Sequence, residues 1–369
     1  MRLLAVLFSV VAGGLLAQGT ADRVGWRFAV EWDASRSYAP AEGDLGPSSG
    51  RPVAITLWYP AANGGTVTTL ADLARLGAYQ RFGHPPATAF ADATAQAIKD
   101  TAPDALSATA RGRRDAPPRA GKYPAILFAH STPLGQVAMA EALAARGFVV
   151  AGVMSRGATG GAYRLSIDDI RAMSDDLEFA SRSIASLPFV DGARIGVIGM
   201  SNGALAAVGL ANRTPIRAIV SLDGTIGEQA AARVLSALPK ATTAASTPPV
   251  LHLYTTGNAY LDLSELQKWP AQCITVTIRQ IRHADFLSYA LLTPPVAGES
   301  AVRVSVADKF AAIQRLTAEF LQQLVAAGDS AARLDLRQPE TALGLGMSPC
   351  SAATNIHPQS DMRPARAGG

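Results

Sequence analysis

Gly199-Met200-Ser201-Asn202-Gly203 sets a serine between glycines two residues away on either side, after the mostly apolar run Arg194 to Ile198 and before an Ala-rich segment. Glycine at both positions lets a buried strand turn abruptly into a helix, which forces the serine into a strained backbone conformation and lifts its hydroxyl above a sheet edge. A serine hydroxyl is a poor nucleophile at neutral pH, so this arrangement needs an imidazole to take the proton and a carboxylate to hold the imidazole. The helix that starts at Asn202 offers that residue's N–H and its own dipole to a developing oxyanion.

Nucleophile, acid, base is the chain order that goes with such an elbow. His283, in His283-Ala284-Asp285-Phe286, is the histidine that follows Ser201 and lies in a loop just past a strand. His252 falls inside the apolar run VLHLY and reads as packing, His357 lies near the end of the chain, and His130 precedes the serine and reads as a loop-shaping residue. His84 and Tyr79 read as surface or packing residues. For the acid, Asp223 ends the strand after the elbow helix and Asp262 follows the strand after that. Asn258 stands after the later strand-end glycine, where many such chains carry an aspartate, and a neutral amide cannot stabilise an imidazolium as a carboxylate does. Asp223 is preferred, with Asp262 kept as the alternative, and Asp285 reads as a residue that orders its own loop. The second oxyanion donor is expected in His130-Ser131-Thr132-Pro133; Pro133 has no N–H, and Thr132 is preferred over Ser131.

The elements around these residues read as an α/β protein. Tyr123–Ala129, Phe148–Met154, Ile216–Leu222 and Val250–Tyr254 are continuous apolar runs, as in strands covered on both faces of a parallel sheet. Cys273–Ile281 is an alternating β-branched strand, and the runs around Trp26–Trp32 and Val53–Tyr59 alternate like strands with one buried face. Helices are expected over Gln136–Arg146, from Ser166 to about Leu187 with Asp168 and Asp169 on its positive end, and from Val306 to about Ala326. Residues 63–121 lack strand character and contain two helical pieces, Leu70–Leu76 and Ala87–Lys99, so they read as a helical insertion, either a substrate wall or decoration. The loop at 155–164 reads as a pocket rim, residues 225–238 as a second cap candidate, and the Thr/Ala/Pro-rich stretch 241–249 as a linker.

With 369 residues and 17% charged side chains, the chain can bury one large core, and neither repeats nor an interdomain linker are visible. A net charge of +4 with scattered basic residues gives no nucleic-acid footprint. Residues 1–21 combine Arg2, a short apolar run broken by Gly13-Gly14, and small residues, which predicts a cleaved signal peptide and a secreted or periplasmic protein with no membrane span; an uncleaved anchor is the rival. The hydrolase-type domain would then run over 22–330, with a flexible tail at 331–369. Cys273 and Cys350 form an even pair that an oxidising compartment would let bridge, and two buried thiols fit the spacing equally. No metal or other cofactor is implied, because H-E-x-x-H, zinc-spaced cysteines and a P-loop lysine motif do not occur.

Taken together, LWYP at 57–60, FAHSTP at 128–133, RIGVIGMSNG at 194–203, SLDG at 221–224 and HADF at 283–286 resemble bacterial relatives of platelet-activating factor acetylhydrolase, in the dienelactone-hydrolase-like group. The resemblance spans most of residues 50–325 and implies an α/β-hydrolase fold, a mostly parallel central sheet with helices on both faces and helical insertions forming a cap. It implies Ser201, Asp223 and His283 as catalytic residues, Asn202 and Thr132 as oxyanion donors, and a small-molecule or lipid ester as substrate. Ser131 stands where that family usually has glycine, and Met200 where an aromatic or histidine is common. Amide or peptide cleavage by the same residues, and a non-catalytic binding protein of this fold, remain as alternatives.

Overall fold

The computed structural model describes residues 23–37, 50–77, 105–159, 166–238, 247–292, 300–327, 336–337 and 343–353. The expected signal peptide, the helical piece Ala87–Lys99, His84, Tyr79 and His357, and parts of the 155–164 loop and 241–249 linker lie outside them. The described strands are β1 (Val24–Asp33), β2 (Arg51–Pro60), β3 (Arg113–Arg114), β4 (Tyr123–Ala129), β5 (Val149–Met154), β6 (Val190–Met200), β7 (Ile219–Leu222), β8 (Val250–Thr255), β9 (Cys273–Ile278) and β10 (Leu345–Pro349). They form one sheet in the order β10-β9-β8-β7-β6-β4-β5-β2-β1-β3. From β5 to β9 all neighbours are parallel, which requires a crossover between successive strands.

The helices are α1 (Leu70–Leu76), α2 (Pro133–Ala144), α3 (Ile167–Ala185), α4 (Gly203–Ala211), α5 (Ala231–Ala237), α6 (Ser264–Gln267), α7 (Tyr289–Leu292) and α8 (Ser300–Leu321), the last continuing as a π-turn over Gln322–Ala326. On one face of the sheet, Met173 and Leu177 of α3 and Leu205 and Leu210 of α4 join Leu127, Val197 and Ile219. On the other, Leu143 of α2 and Ile313, Leu316 and Phe320 of α8 join Ile126, Phe128 and Ile198. Alternate residues of one strand therefore feed opposite layers, which is why β4, β5 and β7 carry almost no polar residue.

Four expectations are corrected by the structure. Strand β2 is buried along its whole length, because it lies between β1 and β5 and is covered by helices as well. Within 63–121, α1 forms as expected, but Arg113–Arg114 pairs with β1, and Thr66 and Thr69 bridge to Arg114 and Thr109, so this segment is bound to the sheet and is not wholly helical. Helix α2 starts at Pro133, three residues earlier than expected, since proline suits a first turn and the Thr132 side chain caps it. Lastly, 331–369 is not all tail: Leu345–Pro349 pairs antiparallel with β9, and Cys350 is disulfide-bonded to Cys273.

Two buried polar clusters fasten loops to this frame. Arg51 gives two parallel hydrogen bonds to the Asp176 carboxylate, at 2.7 and 2.9 Å, and donates to the carbonyls of Arg156 and Gly157, so β2, α3 and the loop after β5 are held together. Glu141 of α2 accepts the N–H of Gly112 at 2.6 Å and of Arg111 at 3.3 Å. Burial pushes its carboxyl up to about 7 despite those two donors.

Candidate active site

Ser201 follows the last residue of β6 with φ 52°, inside the left-handed region that side chains other than glycine avoid. Both flanking glycines are needed there. A Cβ on Gly199 would fall 2.4 Å from the Ala204 nitrogen, and one on Gly203 would fall 2.8 Å from the Ala129 carbonyl oxygen. The serine main chain is pinned on both sides, donating to the Leu222 carbonyl at 3.1 Å and accepting from the Thr225 N–H at 3.1 Å. Asn202 opens the first turn of α4, ahead of the first amide bonded within it, and its side-chain oxygen accepts from the Thr225 hydroxyl at 2.7 Å.

Asp223 leaves the end of β7, beside β6, also at a strained φ of 42°. Its carboxylate is 2% exposed, with one oxygen accepting the Thr255 N–H at 3.0 Å and the other 2.6 Å from His283 Nδ1. The imidazole is 50% exposed, so one edge meets the buried acid and the other meets solvent. Because an ionised carboxylate only accepts, Nδ1 carries the proton of that bond in the neutral ring, and Nε2 is left as an acceptor. The His283 pKa is raised above its ordinary value, first by the hydrogen bond to Asp223 and then by the charges of Asp223 and Glu228, with burial opposing.

The two acid candidates of the sequence lie in different surroundings. Asp262 instead accepts from the backbone and side chain of Ser264 at the start of α6. Asp285 binds Arg282 through its backbone N–H, Nε and Nη2, at 2.9 to 3.1 Å, and so shapes the short 3-10 turn His283–Phe286. The hydrogen bonds of the described residues do not include one from the Ser201 hydroxyl to His283: the Asp223 carboxylate and the imidazole are joined, while the serine and the imidazole are not. Such bonds are often long in unliganded enzymes and tighten when substrate arrives.

Thr132 caps α2, its Oγ1 accepting the Gly135 N–H at 3.3 Å and lying 2.7 Å from the Tyr289 hydroxyl. Ser288 binds the Gly135 carbonyl through both its N–H and hydroxyl at 2.8 Å, and accepts the Ala138 N–H at 2.9 Å. The segment that carries His283 is therefore stitched to the loop after β4. His130 sits at φ 63°, and burial, helped by the nearby His283, pushes its imidazole down to about 4. His252 is buried against Tyr254 with Nδ1 2.9 Å from the Ser221 hydroxyl, and burial pushes it down to about 4 as well.

Glu228 is a residue that sequence reasoning missed. It follows the turn after Asp223, accepts from the Asn258 side chain at 2.9 Å, and its carboxyl is raised by burial and by the Asp223 charge. The one signal was Asn258 itself, a polar side chain at a place where such folds hold an acid. Among the described residues, no group of three His, Cys, Asp or Glu side chains could hold a metal ion, and no helix is long and apolar enough to cross a membrane.

No family model matches the chain, and no curated protein sequence matches it either. Among solved structures, it is similar to a ferulic acid esterase from Streptomyces cinnamoneus, with a TM-score of 0.62 and 20% identity over 90% of this chain and 98% of that one. The mostly parallel sheet with helices on both faces, together with this likeness over most of both chains, gives this chain the α/β-hydrolase fold.

Proposed function

We propose that the protein is a serine hydrolase of carboxylic esters, exported to the periplasm or medium after loss of residues 1–21, with Ser201 as nucleophile, His283 as base and Asp223 as the acid that orients it. The observation that carries this reading is the 2.6 Å contact between His283 Nδ1 and a buried Asp223, at the strand end next to a serine in a strained elbow. Ser201 Oγ attacks the acyl carbon as its proton passes to His283 Nε2, and Asp223 stabilises the imidazolium. The N–H groups of Asn202 and Thr132 hold the negative oxygen, the imidazolium returns the proton to the leaving alcohol, and water releases the acyl group by the same steps in reverse roles. The motif series shared with platelet-activating factor acetylhydrolase relatives supports a small-molecule or lipid ester as substrate, as does the likeness to an esterase. A fluorophosphonate probe is expected to label Ser201, and Ser201→Ala to abolish both labelling and p-nitrophenyl acetate turnover; a folded, unlabelled wild-type protein would favour a binding role instead.

A further inference from the structure

The Thr132–Tyr289 hydrogen bond bears on how the oxyanion is held, a role that rests on the proposed ester-hydrolysing activity of this cleft. A threonine hydroxyl has one proton and two lone pairs. At Thr132 one lone pair takes the Gly135 N–H, and the Tyr289 oxygen lies 2.7 Å away. A phenol, with a pKa of about 10, is a stronger donor than an aliphatic alcohol and a weaker acceptor, since its lone pair is delocalised into the ring. With Tyr289 donating, both lone pairs of Oγ1 are filled from within the protein, and the threonine proton must be directed to a third place.

The loop that carries Thr132 leaves the sheet next to the strand that leads into Ser201. Ala129 pairs with Gly199 across β4 and β6, and the start of α4 sits so close to the Ala129 carbonyl that only glycine fits at 203. Thr132 is three residues past Ala129 and partly exposed, on the loop that leaves the strand end next to the elbow. Tyr289 is fixed from behind. It packs against the buried cluster of Ala74, Leu106 and Leu134, and a Cβ on Gly135 would fall 3.0 Å from its ring. Its neighbour Ser288 is bonded three times to α2.

We infer that Tyr289 is a positioning residue of the oxyanion hole: its phenol fills the Thr132 oxygen and so turns the Thr132 hydroxyl proton toward the negative oxygen, a side-chain donor beside the two backbone N–H groups. Such a donor strengthens as the carbonyl oxygen becomes an anion, so its loss falls on kcat and not on KM.

The test is a double-mutant cycle on p-nitrophenyl acetate hydrolysis, at a temperature where circular dichroism shows every variant folded. Tyr289→Phe is expected to lower kcat about tenfold at unchanged KM, and Thr132→Val, which keeps the backbone N–H, by about 10- to 100-fold. Adding Tyr289→Phe to Thr132→Val is expected to cost less than about twofold more, while in Thr132→Ser, where the hydroxyl survives, it costs its full factor. Inhibition by a trifluoromethyl ketone is expected to weaken in parallel with kcat. Equal losses from Tyr289→Phe in the wild-type and Thr132→Val backgrounds, or an effect confined to KM, would overturn the inference and leave the role of Ser201 standing. Wild-type protein inert to both the ester and a fluorophosphonate would overturn that role and the inference together.

Discussion

Asp176 and Asp223 are equally hidden from water, at 1% and 2% exposed, yet they sit in opposite kinds of surroundings. Asp176 faces two guanidinium groups, Arg51 and Arg36, that never lose their charge, and its main partner is itself 4% exposed. Asp223 faces a backbone N–H and a half-exposed imidazole that can gain and lose a proton, and its own backbone is strained. One buried carboxylate is matched so that nothing changes. The other is matched by one fixed N–H and by one partner whose charge can change.

If this contrast is right, substitutions should separate activity from stability. Asp223→Asn is expected to cut kcat about 10⁴-fold, because the amide no longer holds the productive tautomer, with a small change in melting temperature. A comparable loss from Asp262→Asn, measured in the same steady-state assay, would move the acid to that residue. Asp176→Asn is expected to do the reverse. It leaves Arg51 buried without its charge partner, which costs about 3–5 kcal/mol in a urea titration, with kcat per folded molecule changed less than about twofold.

Glu141 offers a third kind of buried carboxylate, one with N–H partners and a raised pKa. Its proton is held more tightly in the folded chain than in the unfolded one, so its contribution to stability should be fully present below 4.5 and be lost as pH rises through about 7. The size of that fall is about 3 kcal/mol at most, and Glu141→Gln is expected to remove it from a series of urea titrations across this range.

The smallest effect belongs to Glu228. In the proposed mechanism only the neutral imidazole accepts the serine proton, so a raised His283 pKa is expected to put the acid limb of kcat/KM above 6.5, with activity rising as pH passes through it. Glu228→Gln is expected to move that limb to lower pH by a few tenths of a unit, since a charge near a partly solvated group is well screened. An unmoved limb would remove Glu228 from the electrostatics of the site.

Legibility in the sequence tracks distance along the chain. The elbow is compact in sequence: Gly199, Ser201 and Gly203 sit within five residues, and Gly199 is demanded by Ala204 close by, although Gly203 is demanded by Ala129 on the neighbouring strand. The parallel strands were legible because burial on both faces leaves runs such as YPAILFA with no polar alternation. By contrast, the bonds between Arg51 and Asp176 and between Thr132 and Tyr289 join residues 125 and 157 positions apart, and no motif or spacing links the two partners of either. Strand β10 was missed for another reason. LGMSP carries glycine, serine and proline and little β-branching, and its pairing comes from an open edge of β9 and a cysteine bond, not from its own preference.

The two borders of the sheet are closed in unlike ways. Strand β3 is two arginines long, too short and too charged to template a neighbour, whereas β9 would present a full row of unpaired amides and carbonyls were β10 absent. The five residues of β10 take up that row, and the cysteine link anchors them. A stretch that reads as trailing polypeptide is thus the border of the sheet on that side, and its five-residue length and terminal Pro349 are features that blunt an edge.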